Sequence, residues 1–169
     1  MKNMLFVDDN AKLLAAVKRN TAANNAHWKI SLEGNPFQAL ELLKKYHYDV
    51  LVTDIRMPLM SGAQLLDDAA SIAPLTMRIG TSGYFDPLTT YSMTHQPHYF
   101  LAKPFTTETL IDFVQSRYQT HNIEIRKAKS WLDYISRHPG RPEVNDLPKP
   151  MRSQINRERL RNLGISFPD

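Results

Sequence analysis

The chain has 169 residues, enough for one ordinary domain with a buried core plus an appendage. Its 42% hydrophobic and 22% charged residues are those of a soluble globular protein, and no apolar run approaches the ~18 residues that span a bilayer. The lack of cysteine excludes disulfides, thiol catalysis and cysteine-based metal sites. The start of the chain lacks the basic segment, apolar core and small-residue cleavage site of secretion, so a cytoplasmic location with no membrane partner is expected. The formal charge of +4 is uneven, because residues 1–120 hold 11 Lys/Arg against 11 Asp/Glu and residues 121–169 hold 10 against 6.

"NMLFV" (3–7) is a short continuous apolar run, and "AKLLAAVKRN" (11–20) repeats Leu13, Leu14 and Val17 at helical spacing, predicting a strand and then a helix. "WKISL" (28–32) predicts a second strand. "NPFQALELLKKY" (35–46) predicts a helix with Asn35 as cap and Pro36 at the first helical position. "DVLVT" (49–53) is a third buried strand, followed by a helix from about Ser61 to Ile72. "TMRIGT" (76–81) and "HYFLA" (98–102) predict strands four and five, with a weak helix near residues 87–94 between them. The next helix opens at "TTETLIDFVQSRY", where Thr106 or Thr107 can cap and Glu108 places charge in the first turn.

Five strands alternating with helices predict an α/β fold with a doubly wound parallel sheet. Such sheets bind ligands beyond the carboxyl ends of their strands. Asp8 and Asp9 follow strand one, Asp54 strand three, Thr81 and Ser82 strand four, and Lys103 strand five, so every candidate group falls at one edge. Two acids ending a strand are also what a solvated turn or helix cap looks like, but three carboxylates meeting at one edge repel and call for a cation. Mg²⁺, or Mn²⁺ in its place, takes oxygen ligands and suits Asp8, Asp9 and Asp54. Lys103 adds a point charge able to pair with a carboxylate or phosphate oxygen, and a hydroxyl ending strand four can donate to the same oxygen. These are the parts for phosphoryl transfer to a carboxylate nucleophile. His95 and His98 in "HQPH" form at most half of a metal site and read as the loop entering strand five.

"FVDDN", "TDIRMPLMSG", "GTSGYFDP" and "FLAKPF" fall in the order of a bacterial two-component response regulator, and residues 1–120 resemble its receiver domain. "MRIGTSGYFD" and "HYFLAKPF" are most similar to receivers fused to HDOD or HD-GYP outputs. The resemblance implies a flavodoxin-like (βα)5 fold, a phosphoacceptor at Asp54, Mg²⁺ held by Asp8, Asp9, Asp54 and the backbone carbonyl of Arg56, and a phosphoryl contact from Lys103. It assigns the switch hydroxyl to Ser82, because the small residue that follows that hydroxyl in the family is then Gly83. The switch aromatic, three residues before the lysine, is Phe100. By the same resemblance Arg56 and Tyr84 would flank the path of the attacking water, and their bulk implies slow autodephosphorylation. The donor would be a sensor histidine kinase or phosphotransfer protein. The resemblance implies a phosphoacceptor domain and not an enzyme in its own right. Its output would be protein contact or self-association, including a homodimer, through the face of the fourth helix, fifth strand and fifth helix.

Residues 121–169 read as a basic helical extension interrupted by prolines. "IEIRKAKSWLDYISRH" (123–138) predicts a helix with Ile125, Leu132 and Ile135 near one side, continuing the preceding helix or packing beside it, and stopped by Pro139 and Gly140. "RPEVNDLPKP" (141–150) is a stiff connector, and "MRSQINRERLRNLG" (151–164) a short arginine-rich helix. A tail that touches DNA in a transcriptional regulator is the competing reading, less favoured because no helix-turn-helix pattern supports it. A third reading makes the chain the front part of a longer effector.

Overall fold

The computed structural model describes residues 1–24, 27–73, 75–83 and 99–137. The helix expected near 87–94, the "HQPH" pair, Tyr84, the connector at 141–150 and the arginine-rich stretch at 151–164 lie outside these residues. In chain order the elements are β1 (Lys2–Val7), α1 (Ala11–Asn24), β2 (Trp28–Glu33), α2 (Pro36–Lys45), β3 (Val50–Asp54), α3 (Gly62–Ile72), β4 (Met77–Ser82), β5 (Tyr99–Ala102) and α4 (Thr107–Arg137). The strands form one parallel sheet in the order β2-β1-β3-β4-β5.

The apolar runs are continuous because both faces of the central strands are covered. In β1, Met4 and Phe6 face one layer and Leu5 and Val7 the other, and all four are fully buried. Burying each such side chain stabilises the fold by about 1.5–3 kcal/mol. Met4, Phe6, Val50, Val52, Met77 and Ile79 pack with Val17 of α1 and with Leu110 and Val114 of α4. On the opposite face Leu5, Val7 and Leu51 meet Ala39 and Leu43 of α2 and Leu65, Leu66 and Ala69 of α3.

The helix starts follow local chemistry. Asn35 accepts from the Phe37 and Gln38 amides with Pro36 in the first turn, and Ser61 accepts from the Gln64 amide. Asn10 Oδ1 takes the Lys12 amide at 3.0 Å, and Thr106 Oγ1 takes the Thr109 amide at 3.2 Å, which selects Thr106 over Thr107 as the cap of α4. Glu108 in that first turn is held below the usual carboxylate range by its own backbone amide and the Thr106 hydroxyl.

α4 is one uninterrupted helix through residues 120 and 121. It runs back past the amino ends of the strands, where Tyr118 donates to Asp49 Oδ1 at 2.8 Å just before β3 and His121 Nε2 meets the Leu75 carbonyl at 3.3 Å just before β4. Tyr118 also meets Trp28 edge-on at 5.2 Å, with the Lys2 ammonium 4.4 Å from its ring centre. This cluster clamps the middle of α4 to the sheet.

Candidate functional site

The sheet order reverses direction between β1 and β3, so their carboxyl ends open a crevice, and ligand sites in open α/β sheets occupy that position. Asp8 and Asp9 leave β1 there, and Asp54 closes β3 beside them. One carboxylate oxygen from each of the three lies within 4.8 Å of the others. Asp8 is fully buried, Asp54 nearly so, and Asp9 exposed. Asp8 is fixed further by the Asn10 amide, which donates to its Oδ1 at 2.9 Å.

Lys103 reaches the same crevice from the end of β5, with its Nζ 2.6 Å from Asp8 Oδ2 and 3.1 Å from Asp54 Oδ2. Burial alone would lower its pKa, but hydrogen bonds and charge from Asp8 and Asp54 outweigh that and raise it, so the ammonium is charged at neutral pH. The Lys103 amide donates to the Ser82 carbonyl at 2.8 Å, and the peptide from Lys103 to Pro104 is cis. One lysine against three carboxylates leaves two negative charges in a mostly buried crevice. An all-oxygen donor set with that deficit fits a hard divalent cation, and Asp8, Asp9 and Asp54 are the side chains that can hold it.

Of the two hydroxyls ending β4, Thr81 is fully buried and pairs in register with Asp54, with its Oγ1 3.4 Å from the Thr53 carbonyl. Ser82, at the strand's last position, is half-buried and registers against Ala102. Arg56 is exposed in the loop after β3. Phe100 is half-buried and packs on the core layer of α2 and α3. The crevice therefore gathers Asp8, Asp9, Asp54 and Lys103, with Ser82 at the adjoining strand end and Phe100 one strand over.

Two glycines behind these side chains escape a reading based on reactive groups. A Cβ on Gly62 would lie 1.8 Å from the Asp54 carbonyl oxygen, and the Gly62 amide donates to the Ile55 carbonyl at 3.0 Å. Only glycine lets α3 start so close to the phosphoacceptor candidate's backbone. A Cβ on Gly80 would lie 2.7 Å from Ile55 Cδ1 and 2.9 Å from Phe100 Cε1, so the bare strand position is the seat of the Phe100 ring. The signal for Gly62 was the cap-then-glycine step in "MSG"; for Gly80 the sequence holds no local signal.

The model of the response regulator receiver domain family matches residues 4–115. A response regulator receiver protein of Anaeromyxobacter sp. (strain Fw109-5) is 38% identical over 77 residues, 44% of this chain and 30% of that protein. The chain spans less than two thirds of the curated relatives it matches first. Among solved structures, a CheY-like response regulator receiver domain protein from Methanospirillum hungatei JF-1 shares the fold with a TM-score of 0.65 at 20% identity, over 73% of this chain and 98% of that one. A response regulator receiver protein from Sinorhizobium medicae WSM419 has a TM-score of 0.61 at 28% identity, over 71% of this chain and 96% of that one. The family match runs from β1 into α4 and takes in every element that frames the acidic crevice, so the chain belongs to the response regulator receiver domain family of two-component systems.

Proposed function

We propose that this receiver accepts a phosphoryl group on Asp54 from a sensor histidine kinase or phosphotransfer protein. The observation that carries the proposal is the meeting of Asp8, Asp9 and Asp54 within 4.8 Å, with the Lys103 ammonium bridging Asp8 and Asp54. In the transfer, an Asp54 carboxylate oxygen forms the new O–P bond while the donor's P–N bond breaks, its electron pair stays on nitrogen, and the donor imidazole, protonated on its other ring nitrogen, leaves neutral. Asp8, Asp9, Asp54 and the Arg56 carbonyl would hold Mg²⁺, which supplies neutralising charge for the phosphoryl oxygens. Lys103, with its Nζ 3.1 Å from Asp54 Oδ2, would exchange a carboxylate partner for a phosphoryl oxygen on Asp54. Ser82 would donate its hydroxyl to the same group, drawing in the end of β4.

Phe100 would report that movement from its seat over Gly80, changing the contact face of β5 and α4. The output is protein contact, including self-association, with residues 121–169 as an extension that begins within α4. Exposed Arg56, together with Tyr84, would slow the approach of hydrolytic water and lengthen the signal. The segments "MRIGTSGYFD" and "HYFLAKPF" support kinship with receivers of HDOD or HD-GYP proteins.

The test is phosphorylation by a small-molecule phosphodonor with and without Mg²⁺, read by intact mass. Wild type gains one acid-stable, base-labile phosphoryl group in a Mg²⁺-dependent way, and Asp54→Ala gains none. A modification that persists in Asp54→Ala, or wild-type protein that takes neither the donor nor beryllofluoride with Mg²⁺ present, overturns the proposal.

A further inference from the structure

α4 carries a buried stripe that outlives the surface it is buried on. Val114, Tyr118 and His121 are buried against the receiver at steps of four and three residues. The same alternation continues through Ile125, Ala128, Leu132 and Ile135. Yet Tyr118 and His121 already touch the segments that precede β3 and β4, at the sheet's amino edge. Residues 122–137 therefore continue about 24 Å past the layer that the stripe was packed on, at 1.5 Å per residue.

A repeat of 3.5 residues fits the seam of a two-stranded coiled coil. Tyr118, Ile125 and Leu132 fall at a, and His121, Ala128 and Ile135 at d. The exposures of the described residues follow this register. Ile123, Ser130 and Arg137 at f and Arg126 at b are exposed, whereas Ile125 at a is half-buried. The flanking charges also specify the partner. In a parallel pair, a g residue faces the e residue five positions on in the other helix, which sets Glu124 against Lys129 of the second copy, twice by symmetry. The chain's own 151–164 stretch is a poorer occupant, because its four arginines against one glutamate would be set on a segment, 122–137, that itself holds four Lys/Arg against two Asp/Glu.

We propose that residues 122–137 of α4 form a parallel coiled coil with the same segment of a second copy of this chain. The inference deepens the self-association reading above by naming its surface. Because it requires neither Mg²⁺ nor Asp54, its failure and that of the phosphoacceptor reading are separable. Phosphorylation would then act on receivers already tethered as a pair, whose effective mutual concentration is raised by the coil.

The test is sedimentation velocity of the full chain over a concentration series, without phosphodonor, in wild type and in Asp54→Ala. Both show a concentration-dependent monomer–dimer equilibrium. Leu132→Asp is monomeric throughout while keeping the wild-type thermal midpoint of the receiver. Glu124→Lys or Lys129→Glu alone weakens the dimer about tenfold at low salt, and the double exchange E124K/K129E restores it. A wild-type chain that stays monomeric, a dimer indifferent to Leu132→Asp, or a double exchange no better than the singles each overturns the proposal. In the first case the stripe is covered within one chain, and in the second the copies meet through the receiver face.

Discussion

Gly62→Ala is the substitution that the site tolerates least for its size. The added methyl carbon would sit 1.8 Å from the Asp54 carbonyl oxygen and 2.9 Å from Ile55 Cα, where real Cβ contacts stay beyond 3.0 Å. The three nearest atoms are all backbone, so no rotamer change relieves the clash. The start of α3 and the end of β3 must separate by about 1.2 Å to restore the shortest observed separations. That separation also breaks the 3.0 Å hydrogen bond from the Gly62 amide to the Ile55 carbonyl. Overpacking costs of about 1–3 kcal/mol, plus about 1 kcal/mol for the lost bond, bring the expected loss to about 2–4 kcal/mol. For a chain of this length that lowers the thermal midpoint by about 10 °C. The displaced segment carries Asp54, and misplacement of a reacting group by about 1 Å can cost about 100-fold in rate. Thermal unfolding of Gly62→Ala and its phosphorylation rate with a small donor measure both effects. Gly34→Ala is the control, because its nearest neighbours to a new Cβ lie at an ordinary 3.8 Å, and it is expected within about 0.5 kcal/mol of wild type. A Gly62→Ala protein that melts within about 1 °C of wild type and phosphorylates at the wild-type rate refutes the close-approach reasoning.

Other outcomes follow from contacts elsewhere in the molecule. His121 is pushed below its ordinary pKa of 6.5 by burial and by the positive charge of Arg78 on β4, against an opposing contribution from the Leu75 carbonyl. The folded state therefore keeps it neutral while the unfolded chain takes up a proton. Stability is full above pH 6.5 and is lost as pH falls towards the folded pKa, so His121→Gln flattens denaturation midpoints measured across that window. Tyr118→Phe removes the 2.8 Å hydrogen bond to the partly buried Asp49 carboxylate and should cost about 1–2 kcal/mol in urea unfolding, with an unchanged m-value. Gly80→Ala meets flexible side chains, Ile55 and Phe100, and so costs only about 1–2 kcal/mol. Most of that loss should vanish in a Phe100→Ala background, and a double-mutant cycle showing simple additivity would dismiss Gly80 as the seat of the ring.

Arg78 shows how far a buried charge can be held within this scaffold. Burial lowers its pKa to about 10, against the opposing attraction of Asp67, and its Nη1 lies 3.5 Å from the Thr76 carbonyl. It sits on the face of β4 that, in register with Leu51, looks towards α3. The guanidinium therefore stays cationic at neutral pH against a layer of hydrophobic side chains.

The sequence by itself determined the strand and helix alternation, because parallel central strands must be apolar on both faces and α2 and α3 announce their starts with Asn35, Pro36 and Ser61. It also determined that Asp8, Asp9, Asp54 and Lys103 belong to one edge, since a parallel sheet puts every strand's carboxyl end on the same side. Local pattern could not tell whether the helix that opens at Thr107 stops near residue 120 or continues, because both halves are amphipathic and no proline or glycine stands between them. Tertiary structure decided it, with Tyr118 and His121 marking where the sheet ends and the helix does not. Tertiary structure alone also placed the Asp54 backbone against Gly62 and the Phe100 ring over Gly80. Those are close approaches between segments distant along the chain or joined by a tight turn, and steric fit of that kind is a property of packed atoms rather than of periodicity.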